Sequence, residues 1–136
     1  MAQLSDLIQK LNRLSSREWA ESARVGSLSL SEFEYLNAVD EQAHRPFGAN
    51  GEHGQHLHDI VAELGVTKAS ASSMISKLQG RGLVERFQCQ MDARAYHITL
   101  TPKGAVLLAQ GKQVYARIAD IAEKELGEIA FTPVPE

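Results

Sequence analysis

A mainly α-helical domain carrying a small β wing is the fold class this sequence predicts, and three observations predict it. Leu57–Arg86 (LHDIVAELGVTKASASSMISKLQGRGLVER) reads as a short helix, a turn and a second helix whose first half is made of small residues. A tight glycine exit follows, and Phe87–Gly104 (FQCQMDARAYHITLTPKG) reads as a two-stranded hairpin with charged residues near its tip. Long amphipathic helices stand on both sides of this block. The order is that of a winged helix-turn-helix, a module that places one helix in the major groove of DNA.

The elements follow in turn. Leu4, Leu7, Ile8, Leu11 and Leu14 recur at helical spacing, so a first amphipathic helix is expected from about 3 to 24. The serine-rich linker GSLSLS separates it from a second helix, for which Ser31 and Glu34 offer a capping box and Phe33, Leu36 and Val39 an apolar stripe ending near Ala43. His44–Gly54 (HRPFGANGEHG), rich in glycine, is expected to be loop. A third helix over 58–64 would face inward with Ile60, Val61 and Leu64 and end at Gly65. Thr67 can cap the fourth, which continues to about Gln79 with Met74, Ile75 and Leu78 toward the core.

After Gly82 the period changes from helical to alternating. Leu83 and Val84 open one strand, Gln88–Ala95 supply the hairpin tip, and Tyr96, Ile98 and Leu100 alternate with Ala95, His97 and Thr99. Pro102 suits the first turn of a helix running to about 128, because its missing N–H costs nothing there. That helix carries Val106, Leu107, Val114, Ile118, Ile121, Leu126 and Ile129, and the tail FTPVPE is expected to be irregular. The domain organisation expected is 1–30 for dimerisation, 31–101 for the winged helix-turn-helix lobe, 102–128 for a second dimerisation helix and 129–136 for the tail. Two long terminal helices on one small domain expose more apolar surface than a monomer buries easily. A homodimer through the N- and C-terminal helices, across a two-fold axis, is therefore expected.

A chain of 136 residues, 43% hydrophobic, suffices for one globular core. No apolar run approaches the roughly 18 residues of a membrane span. MAQLSDLIQKLNRL lacks the build of a signal peptide, so a cytoplasmic protein with no membrane partner is expected. The single cysteine, Cys89, cannot form an internal disulfide and fits a reducing compartment. Net charge is −3, but its distribution is uneven. Residues 1–64 carry a net −5, whereas residues 65–117, with Lys68, Lys77, Arg81, Arg86, Arg94, Lys103, Lys112 and Arg117 against Glu85 and Asp92, carry a net +6. The positive segment contains the expected reading helix and wing, and a basic surface there suits a polyanion.

Within the fourth helix, whose run KASASSMIS is dense in small residues, Lys68, Ser70, Ser72, Ser73, Ser76 and Lys77 are the candidate outer residues. Small residues let a helix backbone approach base edges, hydroxyls hydrogen-bond to bases and phosphates, and alanine methyls pack on thymine methyls. Serine is a mediocre helix former, so the run gains the fold nothing in stability. Lys68 is the leading contact to base or phosphate, and Lys77 and Arg81 are expected to meet phosphates and set position. Arg94 can reach a narrow minor groove, and Asp92 is placed to hold it.

Those residues make the chain similar to the MarR family of bacterial winged-helix transcriptional regulators, over roughly residues 28–128. LHDIVAELGVTKASASSMISKLQGRGLVER resembles that family's helix-turn-helix and exit turn without a gap. Asp92 and Arg94 resemble its wing pair, and ITLTPKG resembles the end of its wing and the start of its dimerisation helix. The resemblance implies a triangular homodimer that binds a palindromic operator in double-stranded DNA, usually as a repressor. It also implies response to a small aromatic or anionic ligand held between the DNA-binding lobe and the dimer helices, where Arg17, Trp19, Phe33, Tyr35 and Tyr115 are the candidates. Ser73 stands where many members have an arginine, and Ala71 where many have a bulky aliphatic residue, so base preference is not carried over.

Four other readings compete. No HExxH, cysteine pair or glycine-rich nucleotide loop occurs, so neither an enzyme nor a resident cofactor is expected. HGQHLH offers three histidines and so raises a metal-responsive regulator as an alternative, but His56 and His58 would diverge on a strand, and no metal ligand set is expected from them. Cys89 would make a redox-responsive regulator only with a lowered thiol pKa, which nothing in FQCQMDAR guarantees. A winged-helix protein-interaction module with weak DNA binding is the fourth, favoured by net acidity and opposed by the basic segment.

Overall fold

The computed structural model describes residues 3–44, 56–88, 90 and 96–126. Its elements are α1 (Leu4–Arg24), α2 (Leu30–Ala43), α3 (Leu57–Leu64), α4 (Lys68–Gly80), β1 (Val84–Gln88), β2 (Tyr96–Leu100) and α5 (Pro102–Leu126). Among the described residues, five helices and one antiparallel hairpin are thus the predicted class, in the predicted order. The expected loop over 45–54, most of the hairpin tip, Cys89 and the C-terminal tail lie outside the described residues. Among the described residues no helix is long and apolar enough to cross a membrane. The chain forms two compact units, Leu30–Leu108 and, separately, Met1–Ser29 with Ala109–Glu136.

In the Leu30–Leu108 unit, α2 is the central element, in contact with α3, α4 and β2. A helix packed on several sides loses the one-stripe pattern of a surface helix. Accordingly Phe33, Tyr35, Leu36, Ala38 and Val39 are all buried, and Glu32 and Gln42 are buried with them. Gln42 donates to the Glu63 carboxylate of α3 at 3.1 Å, which ties the two helices together. The helix opens at Leu30, two residues before a Ser31 cap would start it, so Ser31 lies in its first turn and does not act as the N-cap. Ile60, Ile75, Leu78, Leu83, Val84 and Ile98 complete the core of this lobe. Val61, Leu64 and Met74, expected inward, are only half-buried.

The hairpin pairs Val84 with Leu100, Arg86 with Ile98 and Gln88 with Tyr96. Only its inner end joins the core. Val84 and Ile98 are buried, while Phe87 and Tyr96 stand 54% and 52% exposed toward the tip. Thr101 fastens this sheet to α5. Its N–H donates to Leu83 O at 3.1 Å, its hydroxyl donates to Gly82 O at 2.6 Å, and the same oxygen accepts from the Gly104 N–H at 3.0 Å. With Pro102 beginning the helix, Thr101 acts as an N-cap whose side chain satisfies an orphan donor of the first turn. Gly104 then presses its backbone on Leu83; a Cβ there would lie 2.1 Å from Leu83 O.

The other unit holds α1 and the later part of α5. Leu14 and Trp19 of α1 and Val114, Ile118 and Ala122 of α5 are buried. Trp19 and Tyr115 meet edge to face at 5.4 Å between ring centroids, and Arg117 Nε donates to Glu18 at 3.1 Å. Ser22 closes the α1 exit by donating to Leu28 O at 3.0 Å. Leu4 and Ile8, at the start of α1, remain 72% and 56% exposed.

Candidate nucleic-acid interface

The turn between α3 and α4, the helix of the candidate DNA contacts, is built from two residues with local reasons to be there. Gly65 ends α3 with φ of 65°, a left-handed conformation that suits glycine. Thr67 caps α4, its hydroxyl oxygen accepting from Ser70 N–H at 3.1 Å and its hydroxyl donating to Ser70 Oγ at 2.9 Å. α4 then buries Ala71, Ile75 and Leu78 completely, which fixes its rotation about its own axis. The burial of Ala71 gives that small residue a packing role.

That rotation sorts the candidate residues into two rows at helical spacing. Ser70, Ser73 and Lys77, with Ala69 and Met74, line an open depression of about 440 Å³ along the outer face. Lys68, Ser72 and Ser76 form the second row, one turn apart each, beside the hairpin. Ser72 is half-buried, and Ser76 Oγ accepts from Arg86 Nη2 of β1 at 3.0 Å. Lys68 and Arg86 line a second depression, of about 240 Å³, with His56, Leu57, His58, Tyr96 and Ile98. Sequence reasoning did not single out Arg86 for this surface. Its register opposite the core residue Ile98 is the signal that it points to the α4 side of the sheet.

Arg81 holds a different position from an ordinary surface cation. Its guanidinium pairs with Glu32, whose side chain is 7% exposed, and Lys77 Nζ lies 3.9 Å from the same carboxylate. The acid on α2 thus anchors the far end of α4, while the Lys77 side chain remains 61% exposed. Lys103 Nζ donates to Arg81 O at 3.1 Å, adding a third cation at the C-terminal end of the helix, where positive charge complements the helix dipole. Asp92 and Arg94 lie outside the described residues.

The candidate effector residues are divided. Phe33 and Tyr35 are buried in the Leu30–Leu108 unit, where burial first, and the Glu34 charge second, hold the Tyr35 phenol above its usual pKa. Trp19 and Tyr115 form their ring pair in the other unit, and Arg17 there lines a depression of about 320 Å³ with Lys10, Arg13, Leu14 and Glu125. His56 and His58 correct the sequence reading. They are the N-cap and a first-turn residue of α3, and the helix start brings their rings to 5.3 Å, stacked, where a strand would have sent them apart.

Comparison with known proteins agrees with this geometry. A family model described as MarR family matches residues 28–95. The HTH-type transcriptional regulator BilQ of Clostridioides difficile is 29% identical over 75 residues, covering 55% of this chain and 51% of that protein. The chain thus spans about half the length of this curated relative. Among solved structures, the reduced form of MarR from E. coli superposes with a TM-score of 0.74 at 21% identity, over 93% of this chain and 86% of that one. MepR of S. aureus, in a complex with DNA, superposes with a TM-score of 0.70 at 18% identity, over 96% and 89%. The match over half of the sequence and the shared winged-helix architecture lead to one conclusion: the chain belongs to the MarR family.

Proposed function

We propose that the chain is a sequence-specific regulator that binds double-stranded DNA as a homodimer, represses from a palindromic operator and is released by a small aromatic or anionic effector. The observation that carries DNA reading is the Ser70–Ser73–Lys77 row, exposed on a helix whose opposite face is locked in the core. Serine hydroxyls on that face reach base edges, and the small side chains allow close approach of the helix. Lys68 and Lys77 stand at the two ends of the helix and neutralise phosphates, with Arg81 held beside Lys77 by Glu32. Arg94, with Asp92, belongs to the minor-groove contact in this reading. Leu4 and Ile8, left exposed on α1, favour burial by a second copy through the terminal helices. The effector part rests on the family.

Selection from a random duplex pool tests the reading. A palindrome should be enriched, with half-sites about one helical turn apart, since two reading helices enter successive major grooves on one face. Binding should fall steeply as salt rises, through counterion release. Failure to enrich any palindrome, with only weak and salt-insensitive binding, rejects DNA reading. Screening aromatic acids for release of the selected duplex tests the effector, and no release across the screen removes that part.

Lys68→Ala and Lys77→Ala should each weaken binding to every duplex by similar factors and lower the salt slope by about 1. Ser73→Ala should instead change the preferred bases with the salt slope intact. Titrations of selected and scrambled duplexes at several salt concentrations separate the two behaviours. A salt slope unchanged in Lys77→Ala would remove that residue from the phosphate contacts.

A further inference from the structure

The start of α3 carries a group of side chains that the DNA-reading face does not use. His56 Nδ1 lies 3.5 Å from one oxygen of the Asp59 carboxylate, and His58 Nε2 lies 3.4 Å from the other. One donor atom from each of the three residues falls within 4.8 Å of the others. Two donors on a tetrahedral zinc ion, at bond lengths of about 2.0–2.2 Å, stand roughly 3.4 Å apart. Each imidazole therefore already stands at about coordination spacing from Asp59, each from a different carboxylate oxygen. Rotation of His58, whose side chain is 77% exposed, toward His56, whose side chain is 10% exposed, would bring the three donors onto one ion.

The carboxylate is also oriented as a ligand requires. Asp59 Oδ2 accepts from the His56 backbone N–H at 3.1 Å, an outer hydrogen bond that fixes the carboxylate at the helix start. From these contacts we propose that His56, His58 and Asp59 form a binding site for a first-row divalent metal ion of the zinc type, with its fourth position open to water or an external ligand. Two imidazoles and one carboxylate suit zinc, cobalt or nickel. Calcium and magnesium require more oxygen donors, and Lys68 and Arg86, which line the adjoining depression, oppose any ion held by charge alone.

The site is placed to act on the reading head. The His56 ring lies against His97 of β2 with centroids 4.7 Å apart, so an ion that fixes His56 links the start of α3 to the wing. Lys68, the first residue of α4, lines the depression beside it. Metal would then add positive charge next to a phosphate contact and tighten duplex binding, with reciprocal tightening of metal by DNA. This second half rests on the DNA-binding reading, whereas the site itself does not.

The test begins without DNA, on the full chain stripped with a chelator and titrated with Zn2+ or with Co2+ as a spectroscopic substitute. One ion should bind per chain, and Co2+ should show the visible absorption of a four-coordinate nitrogen and oxygen site. His58→Ala and Asp59→Asn should each weaken binding at least about tenfold, Asn retaining a side-chain oxygen for the helix cap. His44→Ala, which removes a ring bonded to the α2 backbone, should bind as the wild type does. Equal affinity in His58→Ala and wild type, or no binding at micromolar metal, overturns the site. In the second arm, Zn2+ should tighten duplex binding severalfold in the wild type and not in His58→Ala. Equal duplex affinity with and without Zn2+ overturns the coupling. A chain that binds Zn2+ but no duplex supports the site and overturns the DNA reading.

Discussion

Gly104→Ala is expected to destabilise the Leu30–Leu108 lobe by about 3 kcal/mol, the upper end of what one added methyl does in a close-packed contact. The gain in helix propensity from glycine to alanine, about 1 kcal/mol, works in the opposite direction and is outweighed. Its Cβ would lie 2.1 Å from Leu83 O and 3.0 Å from Leu83 C, and both are backbone atoms that cannot swing aside. Leu83 O is also the acceptor for Thr101 N–H. Any shift that relieves the clash therefore loosens the joint between the hairpin and α5. Gly80→Ala is the internal control. Beyond its chain neighbours and its own helix backbone, no described atom lies within 4 Å of its Cβ position at the end of α4, so it should be neutral or stabilising by up to about 1 kcal/mol. Urea unfolding followed by circular dichroism should show a lower midpoint at unchanged slope for Gly104→Ala. A midpoint equal to wild type would mean that the Gly104–Leu83 approach is looser than described.

The contrast between these glycines shows which parts of the fold the sequence makes legible. Period and caps are local signals. Gly65 and Thr67 sit at the boundary of α3 and α4 because one ends a helix and the other begins one, and both boundaries can be read from neighbouring letters. The start of α5 at Pro102 is legible for the same reason. The close approach of Gly104 to Leu83 is not, because it joins residues from different elements and leaves no trace in either segment's composition. The same holds for α2. Its stripe of Phe33, Leu36 and Val39 indicates a helix, but only the packing of α3, α4 and β2 around it explains why Tyr35, Ala38 and Gln42 are buried as well.

The candidate site divides along the same line. That the serines of KASASSMIS, with Lys68 and Lys77, lie on an exposed helix follows from the sequence, but their separation into two rows depends on Ala71 being turned fully into the core. His56, His58 and Asp59 were misleading for a related reason. An extended backbone at the N-cap followed at once by helix brings neighbouring histidines onto one carboxylate, and alternation rules fail at such a junction. Arg86 acquires its place beside Ser76 from the strand register that sets it opposite Ile98, a pairing of two segments that neither segment shows alone.

Arg81→Ala is expected to cost about 3 kcal/mol of folding stability, far more than the loss of an ordinary surface cation. Glu32 is 7% exposed and pairs with Arg81 across 49 positions of sequence, from the first turn of α2 to the end of α4. Removing the guanidinium takes its short cationic partner from a carboxylate in a poorly hydrated position, where Lys77 stands farther off at 3.9 Å. Glu32→Leu alone should be milder, because Arg81 is 33% exposed and can turn to water. Glu32→Leu combined with Arg81→Met should recover much of the loss, since neither member then buries an uncompensated charge. A double-mutant cycle in denaturant gives the coupling directly, and a value near zero would mean that the pair does not hold α4 in place. Duplex binding, measured where every variant is folded, separates this anchoring from phosphate contact. If anchoring by Glu32 sets the angle of the reading helix, the double variant keeps its stability yet loses discrimination between selected and scrambled duplexes. If Arg81 acts on phosphate alone, affinity falls equally for both.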